Sequence, residues 1–152
     1  MDLQDFDIDP DAYENGKRFV FGAKSYVCMR AIGSARAEEV RKRLWQPYEA
    51  WTDVPAVELA KINAMWLAQG ILTEIVGFTD GGKPFAVDLT KEEDRLRLSG
   101  ILKTPEKKAF VRRLMTMAGA ETGFQVAKTM VTEKNSGGSP AGASPGGEPQ
   151  SS

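Results

Sequence analysis

The chain has 152 residues, of which 20 are basic and 21 acidic, and 41% are hydrophobic. The absence of histidine removes the usual general base and the commonest metal ligand, and the single cysteine, Cys28, excludes an internal disulfide and a cysteine-cluster metal site. A net charge of −1 disfavours broad electrostatic binding to nucleic acid, and no window approaches the ~18 apolar residues of a membrane-spanning helix. We therefore predict a cytosolic protein that is not an enzyme, binds no metal or other cofactor and makes no use of a membrane.

The first 14 residues form an acidic arm. They carry six carboxylates and no basic side chain, which leaves the rest of the chain with a net charge of +5. Phe6, Ile8 and Tyr13 are interleaved with the acids, so the arm has the composition of a docking segment as well as that of a solvated terminus. The sequence leaves both interpretations open.

A β-hairpin is predicted after the arm. Residues 17–21 and 26–32 are short and rich in β-forming side chains, and residues 22–25 between them suit a loop. Because an isolated hairpin is marginally stable in water, we expect this one to lie on helices or to join the sheet of a neighbouring molecule.

Four to five helices are predicted beyond the hairpin, which makes the fold mainly α. Ser34 is a suitable N-cap for a helix that ends before Pro47. A second helix is predicted from Asp53 to about Val76, because apolar residues recur there at intervals of three and four. Residues 79–84 then suit a turn and residues 85–89 a short extended segment.

Two more helix starts are predicted in the second half. Residues 90–93 have the form of a capping box, which opens a short helix ending near Leu102. Thr104 and Pro105 restart the chain as a cap followed by proline, and the last helix continues to about residue 131. Gly119 and Gly123 predict a break within it.

The final segment is predicted to be a flexible, disordered tail. Gly, Ser and Pro fill 13 of the 19 positions from 134 to 152, so the segment cannot bury enough apolar surface to offset the entropy of ordering. The predicted organisation is therefore an acidic arm at 1–14, a helical domain with a hairpin at 15–133, and the tail at 134–152.

The motifs of the sequence predict no catalytic, cofactor-binding or metal-binding residue. The sequence Gly81-Gly82-Lys83 lacks the spacing of a phosphate-binding loop, and the aspartates of the arm lack the glycine and glutamate of a calcium loop. Cys28 has no histidine to activate it, which favours a packed thiol.

Two groups of side chains are candidates for binding a partner. The first contains large apolar residues, which suit either the core or a surface that holds apolar helices: Trp45, Trp51, Met65, Trp66, Met115 and Met117. The second contains bases, which suit either a solvated helix face or a docking surface for acidic partners, including residues 1–14: Lys103, Lys107, Lys108, Arg112 and Arg113.

The order of elements resembles that of the tail assembly chaperones of long-tailed bacteriophages. The likeness covers about residues 16–131, from the extended pair through a charged helix ending in Trp45-Gln-Pro-Tyr48. It continues through Ile71-Leu-Thr-Glu-Ile-Val-Gly-Phe-Thr-Asp-Gly-Gly-Lys-Pro-Phe85 and Val87-Asp-Leu-Thr-Lys-Glu-Glu93. The family shows a segment like W-x-G-V-T-D-x-x-G-x-P at the first of these two stretches.

The resemblance implies a chaperone of the host-cell cytoplasm that is absent from the mature virion. Such a protein coats the hydrophobic tape-measure protein, forms homo-oligomers, and is often also made as a longer form that recruits tail tube subunits. The longer form arises by programmed frameshift, and Glu133-Lys134-Asn135 permits the codons GAA AAA AAC, which contain a slippery heptamer.

Two other classes of protein remain open from the sequence. The main alternative is a virion structural protein of the head–tail connector or tail-terminator type. The other is a small nucleic-acid-binding regulator that uses the basic residues between Lys103 and Arg113.

Overall fold

The computed structural model describes residues 1–48 and 53–126, and within them the fold is mainly α-helical with a small N-terminal β-hairpin, as predicted. The described residues contain five α-helices: α1 (Pro10–Asn15), α2 (Ala35–Trp45), α3 (Ala56–Trp66), α4 (Glu92–Leu102) and α5 (Lys108–Gly119). They also contain five strands: β1 (Lys17–Val20), β2 (Tyr26–Met29), β3 (Leu72–Val76), β4 (Phe78–Asp80) and β5 (Lys83–Phe85). The predictions for Trp51 and for the tail at 134–152 lie outside the described residues.

The chain divides into two compact units. Among the described residues, one contains 1–9 with 125 and 126, and the other contains 10–48 and 53–124. In the first, Leu3–Phe6 forms a 3₁₀ turn whose N-cap, Asp2, accepts the backbone N–H of Gln4 at 3.0 Å. Ile8 pairs with Gln125 in an isolated antiparallel bridge, and the N–H of Val126 donates to the carbonyl of Asp7 at 2.9 Å.

The second unit contains an antiparallel sheet with the strand order β1–β2–β3. The predicted hairpin is therefore present, and its residues Val27 and Met29 pack in one core with the helices, as expected. It also gains a third strand from the same chain, which was not predicted. Val27 of β2 lies opposite Ile75 of β3, and both side chains are buried.

The prediction of one helix from Asp53 to Val76 is wrong over its last five residues, which form a strand. α3 ends at Trp66, and the chain passes through a π-helical turn, Leu67–Ile71, into β3. Three of the five residues of β3 are β-branched, which suits a pleated strand better than a helix. Pairing with β2 therefore outweighs a helical period that the apolar spacing alone suggested.

Two predicted helix caps have different outcomes. Ser34 caps α2 as predicted, because its Oγ accepts the N–H of Ala37 at 3.3 Å. The capping box at Thr90 is wrong, because the hydroxyl and the N–H of Thr90 both donate to Oδ1 of Asp88, at 2.6 and 3.1 Å. These two hydrogen bonds lower the pKa of Asp88 and draw Thr90 away from α4, which begins at Glu92.

The glycines of two other predicted features act as expected. The turn predicted at residues 79–84 is present but shorter, because residues 78–80 and 83–85 are the paired strands β4 and β5. Gly81 and Gly82 between them both have positive φ, the requirement of a two-residue type I′ turn. The last predicted helix is broken, because α5 ends at Gly119 and a 3₁₀ turn, Glu121–Phe124, follows.

The core lies between the sheet and the helices α2–α5. Its largest fully buried side chains include Met29, Leu67, Ile71, Leu98 and Leu114. Such burial contributes about 1.5–3 kcal/mol for each large apolar side chain.

Candidate partner-binding groove

A groove of about 600 Å³ lies on the larger unit, where α3 and α5 approach each other. Its walls come from α3, from α5 and from the connection that joins α4 to α5. The residues that line it are Ala56, Val57, Ala60, Lys61, Asn63, Leu102, Lys103, Thr104, Pro105, Lys108, Val111, Arg112, Met115 and Thr116.

The spacing of these residues explains the shape of the groove. On α5, Lys108, Val111, Arg112 and Met115 recur at three- and four-residue intervals, so they share one helix face about 12 Å long. On α3 the lining side chains include two alanines and a valine, and their small volume leaves that wall concave. A groove between two helix faces is the geometry in which an amphipathic helix or turn can bind.

The floor of the groove is apolar, and its side chains range from buried to exposed. Leu102 and Val111 are buried at its base, and Met115 is half-buried while packing against the core. Val57 remains 67% exposed to solvent. Apolar surface of this kind is what an apolar partner side chain removes from water on binding.

The rim of the groove is cationic. Lys61, Lys103, Lys108 and Arg112 line it, and none of the lining residues is acidic. Lys61 lies 3.8 Å from Glu58, whereas no carboxylate among residues 1–48 and 53–126 lies within ion-pair distance of the other three. An apolar floor with this rim favours a partner in which acidic residues flank apolar ones.

The predicted basic cluster is therefore divided by the fold. Lys103, Lys108 and Arg112 line the groove. Lys107 instead pairs with Asp80 at 2.9 Å, beside a smaller pocket of about 210 Å³. The guanidinium of Arg113 lies over the ring of Phe21, 4.8 Å from its centroid, in a cation–π contact.

The predicted apolar candidates are also divided. Met115 lines the groove, whereas Met117 packs against the core. Trp66 is only 9% exposed, and its indole N–H donates to the carbonyl of Ala37 at 2.8 Å, which joins α3 to α2.

Two further apolar candidates lie outside the groove. Trp45 is half-buried and meets the ring of Tyr48 edge to face, with centroids 6.0 Å apart. Met65 is half-buried on α3.

Residues that sequence reasoning missed are those of the α3 wall. Val57, Ala60 and Lys61 were not predicted, because the candidates were limited to large apolar side chains and to the bases between Lys103 and Arg113. The available signal was a run of small side chains, Ala56, Val57 and Ala60, in the first turns of a helix.

Two titratable groups of the larger unit, Cys28 and Arg30, have shifted pKa values because they are partly buried. Burial raises the pKa of Cys28, and Glu74, whose Oε1 lies 3.5 Å from Sγ, raises it further, so the thiol stays protonated near neutral pH. Burial lowers the pKa of Arg30, whose guanidinium donates to the carbonyls of Glu14 and Gly70 at 3.1 and 3.3 Å. These contacts tie α1 and the π-helical turn to the end of β2.

Among the described residues no cluster of His, Cys, Asp and Glu side chains suits a metal ion, and none of their helices is long and apolar enough to cross a membrane. No protein-family model, curated protein or solved structure matches this chain.

Proposed function

We propose that this protein is a phage tail assembly chaperone that holds apolar helical segments of the tape-measure protein in the groove between α3 and α5. The observation that carries the proposal is the apolar floor of that groove, with Val57 67% exposed in the isolated chain. The resemblance in the order of elements over residues 16–131 supports the same family.

A groove of this size suits transient holding of a polypeptide. Its length along α5 matches about two turns of a bound helix, which places two or three apolar side chains on the floor. A small interface of this kind binds weakly, and repeated weak contacts along a long client suit a chaperone that tail tube subunits later displace.

The rim adds a preference among client segments. Lys103, Lys108 and Arg112 favour segments whose apolar residues are flanked by Asp or Glu. A longer frameshifted form would use the same groove and supply a second contact for tail tube subunits.

The proposal is tested by co-expressing the full chain with tape-measure fragments from the same genome. We expect fragments that are insoluble alone to become soluble and to co-purify with several copies of this protein. Arg112→Glu reverses a charge at the rim, and we expect it to reduce recovery of the fragment about tenfold or more, because charge reversal at a rim replaces attraction with repulsion. Lys42→Glu, on the exposed face of α2 outside the groove, is the matched control.

Two results would contradict the proposal. The first is that Arg112→Glu and Lys42→Glu lower recovery equally while circular dichroism shows both to be folded. The second is detection of the protein in purified virions by mass spectrometry together with insoluble fragments, which would favour the connector or tail-terminator alternative.

A further inference from the structure

We propose that residues 1–9 of one copy, the part of the acidic arm that precedes α1, dock into the groove between α3 and α5 of a second copy. This inference concerns self-association alone, so it does not depend on the identity of any client. It assigns the two surfaces that would join copies of this chain.

The arm has an apolar face that is flanked by aspartates. Leu3 and Phe6 are three residues apart in the 3₁₀ turn, where such residues lie on the same side. They are 85% and 56% exposed. Residues 1–9 include four aspartates and no basic side chain, so acids surround this apolar face.

The groove offers the complementary features. Val57, Val111 and Met115 provide apolar surface for two side chains of that spacing, and the 3₁₀ turn, about 8 Å long, fits within the ~12 Å of the α5 face. The rim contributes Lys103, Lys108 and Arg112, none of which has a carboxylate within ion-pair distance among the described residues. The charges and the apolar surfaces are therefore both complementary.

A second copy is the occupant that accounts for the observed exposure. Leu3 and Phe6 are exposed in the single chain, and so is Val57 of the groove, which leaves both apolar surfaces uncovered. Residues 7 and 8 are held by their backbone pairing with Gln125 and Val126, and the exposed side chains of Leu3 and Phe6 precede this pairing.

The resulting interface is heterologous, because the arm of one copy meets the groove of the next. A pair joined in this way still has one free groove and one free arm, on different copies, so the assembly grows until it closes as a ring or continues as an open spiral. The interface is small, which predicts a dissociation constant in the micromolar range.

The test uses full-length chains in sedimentation velocity from about 1 to about 200 μM, a range that brackets micromolar affinities. We expect the wild type to show mass that rises with concentration, and we expect about 0.5 M NaCl to reduce that mass by screening the rim. An arm variant, Leu3→Ser with Phe6→Ser, and a groove variant, Val57→Glu with Arg112→Glu, should each remain monomeric. All four positions are exposed, so both variants should fold.

Mixing the two variants gives the decisive readout. The intact arm of the groove variant can dock in the intact groove of the arm variant, and no second interface can then form. We therefore expect a 1:1 dimer and nothing larger, whereas Lys42→Glu should assemble like the wild type. A monomeric wild type throughout the range, self-association that either variant retains, or a mixture that stays monomeric would overturn the inference.

Discussion

At the scale of single residues, Gly77 occupies a position beside the sheet that only glycine, which lacks a Cβ, can fill without strain. It lies between β3 and β4 with a φ of +81°, a conformation that residues with a Cβ rarely adopt. A Cβ at this position would overlap the carbonyl oxygen of Lys24, in the loop between β1 and β2. The Gly77 carbonyl also accepts the hydroxyl of Ser25 at 2.7 Å, so the two loops are in close contact.

We predict that Gly77→Ala destabilises the protein by about 2 kcal/mol or more, because strained backbone and backbone overlap add together. Gly100→Ala is the matched control, since Gly100 lies in α4 with nothing near an added Cβ. That change should stabilise the protein by about 0.5–1 kcal/mol, because alanine favours the helix. Urea denaturation of both variants measures the difference, and equal effects of the same sign would contradict this account of Gly77.

At the scale of elements, most local signals in the sequence predicted what local interactions determine. The capping box at Thr90 is the exception, because Thr90 donates both of its hydrogen bonds to Asp88 instead. The cap at Ser34, the break at Gly119 and the turn at Gly81 each depend on residues within a few positions, and each was predicted correctly. The strand β3 depends on pairing with β2, whose partner residues Cys28 and Glu74 are 46 positions apart. The same apolar spacing suits a helix until that distant partner is known.

The groove was half predictable for the same reason. Lys108, Arg112 and Met115 are notable in the sequence because they share one face of a single helix. The opposite wall consists of ordinary small residues of α3, and only tertiary packing of α3 against α5 makes a concave surface of the two. The basic and apolar side chains of the α5 wall were therefore predictable from the sequence, whereas the concave groove between α3 and α5 was not.

Burial divides the apolar candidates into those that hold the fold and those that can meet a partner. We predict that Trp66→Phe lowers the free energy of unfolding by about 1–2 kcal/mol, because it removes the hydrogen bond to Ala37 and some packing volume. It should leave self-association unchanged. Val57→Glu should instead weaken self-association and leave the free energy of unfolding almost unchanged. Substitutions at exposed positions usually change stability by about 0.5 kcal/mol or less.

Chemical denaturation and sedimentation velocity, carried out on the same preparations, separate these two effects. If Trp66→Phe abolished self-association while remaining folded, the buried tryptophan would belong to the interface after all. If Val57→Glu unfolded the protein, the exposed valine would have a structural role that its surroundings do not indicate.

At the scale of the whole molecule, the segregation of charge along the chain produces two surfaces that could attract each other. Residues 1–9 carry four of the acidic side chains, and the groove carries four basic ones without an acid among its lining residues. A chain with a net charge of −1 therefore presents two surfaces of opposite sign. Under the two proposals above, one groove serves both the arm of a second copy and a segment of the client, so the two ligands compete.

Because of this competition, we expect that removing the arm's apolar side chains strengthens client binding only at protein concentrations at which arms occupy the grooves of other copies. If nine-tenths of the grooves are occupied by arms, the apparent client affinity falls about tenfold, because only the open fraction binds. At high protein concentration, Leu3→Ser with Phe6→Ser should recover the lost client affinity. At concentrations well below the dissociation constant of self-association, the variant and the wild type should bind the client equally. Fluorescence anisotropy of a labelled tape-measure fragment, kept at trace level and titrated with each protein, measures both regimes. Identical curves for the two proteins at all concentrations would mean that client and arm use different surfaces.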